Sequence, residues 1–348
     1  MAAIRVAVDM TFPNRNPAGS GVYATELVDH LRRAPEVDVA EVAATGRGLA
    51  NTLRWLTGGA RRAAKASHVL HCPAFVAPWN PGVPMVLTVH DTSTLRFPED
   101  HPLEWRAYAR YVLPGRARAA SRVITGTEFS KSEIVRDLGV EAARVVVTPY
   151  GVARRFAEAH RNPHEPSAPP LLLFAGAPTR RKNLELVLAA MADGRDGSAL
   201  RRARLVITGA TAGEFPHHVA RIRSLGLADR IEWRGKVAAV DMPDVMARAD
   251  LLLYPSLYEG FGFPALEAML ARTPVVASNA ACLPEVLGDG AVLIDPHDVK
   301  ALVEAADAVL QRADVRDALV ERGQTWVKRY SWSRCAEQTV EVYRLAAQ

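Results

Sequence analysis

Two glutamates, Glu259 and Glu267, stand eight positions apart around the turn Glu259-Gly260-Phe261-Gly262-Phe263-Pro264. Paired carboxylates hold the vicinal hydroxyls of a sugar or ribose well, because each oxygen accepts charge-assisted hydrogen bonds. Leu251-Leu252-Leu253-Tyr254 before the turn reads as a short buried strand, and Phe263 to Ala271 after it reads as a helix. Pro264 suits the first helical position, where its missing N–H leaves no bond unmade. Gly260 and Gly262 leave backbone N–H groups open to a ligand, and a helix N-terminus adds partial positive charge. The segment is a strand-loop-helix site for an anionic or hydroxyl-rich ligand.

Three further clusters carry chemistry. Gly176-Ala177-Pro178-Thr179-Arg180-Arg181-Lys182-Asn183 follows the apolar run Leu171–Ala175 and precedes a helical pattern. A turn that sets Arg181 and Lys182 beside a helix N-terminus binds phosphate by charge and backbone dipole together. His90-Asp91 follows the strand pattern Met85–Val89, where a histidine can bond a sugar hydroxyl or move a proton. Gly19-Ser20-Gly21-Val22-Tyr23-Ala24 formally matches the dinucleotide pattern GxGxx(G/A). Ten residues, Asp9 to Ala18, separate it from the first strand, whereas that fingerprint starts directly after its strand. It fits better as a glycine edge that lets a ligand approach the backbone of a helix Val22–Arg33; a nicotinamide-dependent oxidoreductase is the alternative.

These clusters need a scaffold that brings strand ends together. Strand patterns occur at Ile4–Val8, Val37–Val42, His68–His71, Met85–Val89, Arg122–Gly126 and Arg144–Thr148. Between them lie helical stretches: Val22–Arg33, with Val22, Leu27, Val28 and Leu31 as its apolar stripe; Leu103–Ala120, interrupted by Pro114; and Ser130–Leu138, with Thr127 or Ser130 as N-cap. Ala159–Pro170, with His160, His164, Pro163, Pro166, Pro169 and Pro170, is a linker candidate. The alternation then restarts with strands at Leu171–Ala175, Arg204–Thr208, Ile231–Trp233, Leu251–Tyr254, Val275–Ala277 and Ala291–Ile294. Helices are expected at Asn183–Met191, Pro216–Leu225, Asp241–Ala249, Phe263–Ala271, Val299–Arg312 and Val315–Arg329. A tail, Ser331–Ala347, carries the stripe Trp332, Ala336, Val340 and Tyr343. Strands alternating with helices imply parallel sheets with right-handed crossovers. The expected fold is α/β, two Rossmann-like doubly wound domains facing a ligand cleft outside the carboxyl ends of their strands.

Composition fits that plan. The chain has 348 residues, 49% of them apolar, ample for two domains of about 150 residues each. No apolar run is long enough to cross a membrane, and Ile4–Asp9 opens as a strand rather than a signal peptide. Cys72, Cys282 and Cys335 have neither metal spacing nor a disulfide pattern, and read as small buried hydrophobes in a reducing cytoplasm. Net charge is +5, and only six of the 43 basic residues are lysine. Arg54, Arg61, Arg62 and Lys65, then Arg106, Arg110, Arg116, Arg118 and Arg122, form basic stretches that suit an anionic acceptor, anionic lipid or a solvated helix face. No aromatic interleaving marks a nucleic-acid groove. Loops such as Gly46–Arg62 carry no constraint on the acceptor.

Taken together, Glu259-(seven residues)-Glu267, Arg181-Lys182-Asn183, Gly19-Ser20-Gly21 and His90-Asp91 are similar to the motifs of retaining glycosyltransferases of the GT-B fold, family GT4. Thr127-Glu128-Phe129-Ser130-Lys131, Pro149-Tyr150-Gly151-Val152 and Leu283-Pro284-Glu285-Val286 extend the resemblance over nearly the whole chain. Val89 to Val152 looks most like bacterial transferases for mannose-like sugars.

The resemblance implies an N-terminal acceptor-binding domain over residues 1–152, joined by a crossover helix 331–348, and a donor-binding domain over 153–330. Arg181 and Lys182 would hold the donor diphosphate, and Glu267 the ribose. Glu259 and the backbone N–H groups of Gly260, Phe261, Gly262 and Phe263 would hold the transferred sugar. Gly235, Lys236 and Val237 would meet the base, His90 the sugar, and Gly21 the phosphates. Family members often carry Asn where Tyr150 stands and Leu where Phe263 stands. Neither change is expected to touch a charged role, and Phe263 would narrow the sugar pocket.

The implied reaction moves a hexose from a nucleotide-diphosphate sugar, GDP-mannose-like or a UDP-sugar, to a hydroxyl of a glycan, glycolipid or small-molecule acceptor. Retention would come from front-face attack, without cofactor or metal, since no Asp-x-Asp motif lines the site. The expected location is cytoplasmic, with peripheral contact to anionic membrane. A sugar-nucleotide 2-epimerase and a non-catalytic nucleotide-sugar-binding protein are the remaining alternatives.

Overall fold

The computed structural model describes residues 3–15, 19–46, 48–159, 168–194 and 197–348. His160, Pro163, His164 and Pro166 of the linker candidate lie outside these residues. The chain divides into two compact units: residues 1–151 with 330–348, and residues 152–329.

The first unit is built on six parallel strands: β1 (Ile4–Asp9), β2 (Val37–Val42), β3 (Val69–Cys72), β4 (Met85–Thr88), β5 (Arg122–Thr125) and β6 (Val145–Val147). Their order is β2-β1-β3-β4-β5-β6. β3 and β4 are buried along their whole length, so both are mainly apolar, and their polar members His71 and Thr88 hydrogen-bond to each other. The chain leaves β1 towards β2 and returns on the other side at β3, so the switch point of this sheet lies between β1 and β3.

The second unit repeats the plan with β7 (Leu171–Phe174), β8 (Arg204–Thr208), β9 (Ile231–Gly235), β10 (Leu251–Tyr254), β11 (Val275–Ser278) and β12 (Val292–Ile294), in the order β12-β11-β10-β7-β8-β9. Its switch point lies between β7 and β10, the strands that carry the Arg181-Lys182 loop and the Glu259 loop. All twelve expected strands form, and the α/β fold of two doubly wound sheets is borne out.

Several helices differ from expectation. The buried face of the Ser20–Leu31 helix is Tyr23, Ala24, Leu27, Val28 and Leu31, with Val22 only half-buried. The helix begins at Ser20, which turns the stripe towards Tyr23. Thr127 is the N-cap of Glu128–Leu138, accepting from the Ser130 N–H at 3.1 Å, so the helix starts two residues before Ser130. Pro114 does not interrupt its helix. Residues 103–119 run on through a π-helical turn at Tyr108–Val112, which widens the ladder just before the proline.

The Gly46–Arg62 segment is not a loop. From Leu49 it is helical, with a π-turn at Trp55–Gly59, and Arg47 lies outside the described residues. Trp55 and Leu56 are buried in the core of the first unit, and the Trp55 indole N–H donates to Asp9 Oδ2 at 2.7 Å. The Gly58-Gly59 pair weakens the helical pattern in sequence. Tertiary packing supplies what propensity lacks.

The C-terminal helix, Trp332–Ala347, is capped by Ser331 and packs on Ser20–Leu31. A buried hydrogen-bonded chain ties it to the sheet: Tyr343 OH to His71 Nδ1 at 2.7 Å, and His71 Nε2 to Thr88 Oγ1 at 2.8 Å. Burial pushes His71 down to about 3, so it is neutral. Cys72, Cys282 and Cys335 are buried free thiols.

Candidate active site

In the second unit, the loop after β7 is fastened to the loop after β10. Asn183 adopts a left-handed conformation (φ 59°), which asparagine tolerates better than most residues. Its Nδ2 donates to the carbonyls of Pro255 at 3.1 Å and Pro296 at 2.8 Å. The Leu257 N–H donates to the Arg181 carbonyl at 2.7 Å. Arg181 and Lys182 sit in the tight turn that precedes the Leu184–Asp193 helix, so Asn183, expected inside that helix, caps it instead.

This fastening brings three charges together. Lys182, 8% exposed, donates from Nζ to Glu259 Oε1 at 2.6 Å. Arg181 Nη1 donates to Glu259 Oε2 at 3.0 Å and to the Tyr258 carbonyl at 3.2 Å. Both oxygens of Glu259 are therefore engaged by cations. Burial alone would raise the Glu259 carboxyl, but Lys182 and Arg181 outweigh it and hold it down at about 2. Burial pulls the Lys182 ammonium below its ordinary value, against the attraction of Glu259. The sequence reading gave these residues separate ligands; the structure makes Glu259 a partner of both cations.

Beyond Glu259, Gly262 starts the Phe263–Leu270 helix in a left-handed conformation (φ 86°), and a Cβ there would stand 2.9 Å from Leu283. Glycine is required on both counts. Phe261 is buried, and its ring packs on Phe263 with centroids 5.0 Å apart. Glu267 lies one turn into the same helix, half-buried.

Gly235 ends β9, and its carbonyl accepts from the Gly209 N–H at 2.7 Å; Lys236 and Val237 follow it. A Cβ on Gly209 would lie 2.6 Å from Ala177 N. Glycine at that position lets the loops after β7, β8 and β9 stack at one edge of the sheet. Sequence reasoning missed Gly209 and Tyr254, whose hydroxyl accepts from Lys182 Nζ at 2.9 Å. The signal for Gly209 was a glycine directly after a predicted strand.

In the first unit, Gly21 lies in the first turn of the Ser20–Leu31 helix, after the loop that leaves β1 at the switch point. His90 follows β4. Its Nε2 donates to the Pro73 carbonyl at 3.1 Å and its Nδ1 accepts from Tyr150 OH at 2.9 Å. Burial drives it down to about 4, against the attraction of Asp91, so the ring is neutral at physiological pH. Both ring nitrogens are thus engaged within the first unit. Asp91 accepts from the Ser93 N–H at 2.8 Å, just ahead of the short Ser93–Arg96 helix. Tyr150, which stands where family members often carry Asn, is a direct partner of the neutral His90. Its buried ring stacks on Trp332, 9° from parallel.

Among the described residues, no group of three or more His, Cys, Asp and Glu side chains is arranged to hold a metal ion. No described helix is long and apolar enough to cross a membrane.

The chain is similar to known proteins. The profile of Glycosyltransferase Family 4 matches residues 17–156, and that of Glycosyl transferases group 1 matches residues 156–326. The O-antigen chain mannosyltransferase B of Escherichia coli is 32% identical over 271 residues, covering 75% of this chain and 70% of the relative. The sucrose-phosphate synthase of Thermosynechococcus elongatus superposes with a TM-score of 0.78 at 18% identity, covering 98% of each chain. Anabaena HepE, solved in complex with UDP and glucose, gives 0.75 at 18% identity, covering 97% of this chain and 98% of its own. The paired doubly wound sheets are those of the GT-B fold, and the chain belongs to glycosyltransferase family GT4, whose members use nucleotide sugars.

Proposed function

We propose that the chain transfers a hexose, with retention, from a nucleoside-diphosphate sugar to a hydroxyl of a glycan, glycolipid or small-molecule acceptor. In this reading the second unit binds the donor and the first unit the acceptor. The observation that carries it is the Arg181–Lys182–Glu259 cluster at the β7/β10 switch point, where ligands of doubly wound sheets bind. A mannose-type donor is favoured by the similarity to a relative named as a mannosyltransferase, and a UDP-sugar is the second choice.

The chemistry follows from the charges. Cleavage of the sugar–phosphate bond leaves growing negative charge on the diphosphate. Arg181 and Lys182 stabilise it where it develops, with little reorganisation. Glu267 accepts from the ribose hydroxyls, and Gly235 to Val237 line the base. Glu259 binds the transferred sugar. A carboxylate held near 2 by two cations is a weak base and a weak nucleophile, which supports front-face attack. In that route a donor phosphate oxygen takes the acceptor proton. The cations do the work a donor metal would do, so turnover is expected to survive chelation.

Contact of the first unit with an anionic membrane belongs to this reading. Leu49, Leu53, Trp79, Leu103, Trp105 and Tyr111 are exposed there; exposed Arg54, Arg61, Arg62 and Arg110 lie on the helical segments of Leu49, Leu53, Leu103, Trp105 and Tyr111, and exposed Lys65 lies in the turn after Ala63. Apolar side chains mixed with basic ones suit a lipid interface.

A thermal-shift panel of GDP, UDP, TDP and ADP, each with and without its sugar, tests the donor. One nucleotide at about 100 times its dissociation constant should add about 2.7 kcal/mol of stability. No shift with any nucleotide, or stabilisation by NADH alone, overturns the reading. Turnover abolished by EDTA and restored by magnesium overturns metal independence. Retention on phosphatidylglycerol vesicles but not on phosphatidylcholine tests the membrane contact.

A further inference from the structure

Tyr254 ends β10 and belongs to none of the motifs above. It is 2% exposed, and its ring lies beside the Lys182 ammonium, with Nζ 4.6 Å from the ring centroid. Its hydroxyl accepts from Lys182 Nζ at 2.9 Å, and the charge of the neighbouring Glu259 acts on it. With the 2.6 Å contact between Lys182 and Glu259, the ammonium is held between a carboxylate and a phenol. A phenol suits this corner because its oxygen can accept from the ammonium. Burial, and then the charge of Glu259, push the hydroxyl well above its ordinary value, so it keeps its proton.

We infer that Tyr254 is a positioning residue for sugar transfer: its hydroxyl sets the Lys182 ammonium and the Glu259 carboxylate at a fixed spacing, one facing the donor diphosphate and the other the sugar. The inference rests on the donor-site reading of Lys182 and Glu259. The strand order explains the position. β10 lies beside β7, with Leu251 opposite Leu172 and Leu252 opposite Leu173, so the last residue of β10 stands beside the start of the loop that returns Lys182.

The groups facing Lys182 are Arg181 on its own turn, Glu259 on the loop after β10, Tyr254, and the buried Cys282 thiol before the Leu283–Leu287 helix. Removing the hydroxyl takes an acceptor from the ammonium and, through it, loosens the ammonium's hold on the carboxylate. The Lys182 pKa then falls and the Glu259 pKa rises, so the pH range in which both are charged narrows from both sides.

The test compares Tyr254→Phe, which keeps the ring, with Tyr254→Leu, which removes it. The probe is the nucleoside diphosphate among GDP, UDP, TDP and ADP that most stabilises the wild type, together with its sugar conjugate. Tyr254→Phe should fold normally, lower kcat/KM by about tenfold to a hundredfold, and draw in both limbs of the pH profile. Wild-type kcat/KM and unmoved limbs in Tyr254→Phe, whatever Tyr254→Leu does, would overturn the positioning role and leave packing alone. A wild type that no nucleoside diphosphate stabilises fails the donor reading instead, so the two failures are separable.

Discussion

The ends of β7 and β10 in the second unit and the end of β4 in the first solve opposite problems. At the former, Arg181, Lys182 and Glu259 are gathered as full charges with little access to water. At the latter, His90 and its neighbour His71 are held neutral among Tyr23, Tyr150, Tyr343 and Thr88. Buried charge is stable only when paired, and one missing partner leaves several kcal/mol of desolvation uncompensated. A neutral network costs less when broken. The charged edge suits a diphosphate leaving group, and the neutral edge suits hydroxyls.

The largest effect should come from breaking the charged side. Glu259→Ala leaves Lys182 buried with Arg181 as its closest charge. Turnover should fall by at least about a hundredfold, and urea unfolding should show a loss of about 3–5 kcal/mol. A variant with normal stability would mean that water reaches Lys182 freely, and the contrast between the two edges would disappear.

Next in size is Lys182→Ala. Arg181 still neutralises Glu259, so the fold should tolerate the change better. Nucleoside-diphosphate binding, followed by calorimetry, should weaken by about 1.5–3 kcal/mol, the worth of a charged hydrogen bond. Wild-type affinity would remove Lys182 from the phosphate site.

The smallest effect concerns pH and separates the two regions directly. His71 and His90 titrate at about 3 and about 4 in the folded chain, below their ordinary 6.5. Unfolded chains therefore take up protons first, and the stability from these groups, complete above pH 6.5, is lost as pH falls from 6.5 towards 3. Glu259 is also depressed, from 4.5 to about 2, so its contribution is complete above pH 4.5 and fades as pH falls towards 2. Acid sensitivity should thus begin in the first unit. Melting curves of His71→Gln between pH 7 and 5 should have a shallower slope than wild type, by about 1.4 kcal/mol per pH unit at most. An unchanged slope would assign the acid limb elsewhere.

Legibility in the sequence followed the range of the interactions. The motif Glu259 to Glu267 is a strand end, a left-handed glycine and a helix start, all within one short segment, and each part was readable locally. The central strands were readable because strands buried on both faces need mainly apolar runs, and the edge strand Val37–Val42 by its alternation. The helix through Trp55 was not, because its two glycines weaken the local pattern and its stability comes from packing against Asp9 and the core of its unit. The role of Asn183 was also hidden, since its acceptors, Pro255 and Pro296, lie 72 and 113 residues away.

By itself, then, the sequence determined the α/β class, the family and the residue types at each strand end, because these depend on periodicity and short motifs. Only the tertiary structure decided which groups meet. Lys182 and Glu259 are 77 residues apart, and they touch because β10 returns beside β7 in the strand order. His90 meets Tyr150 and the Pro73 carbonyl because β3, β4, β5 and β6 lie side by side. Strand order is set by the packing of the whole sheet, and no local stretch of chain carries that information.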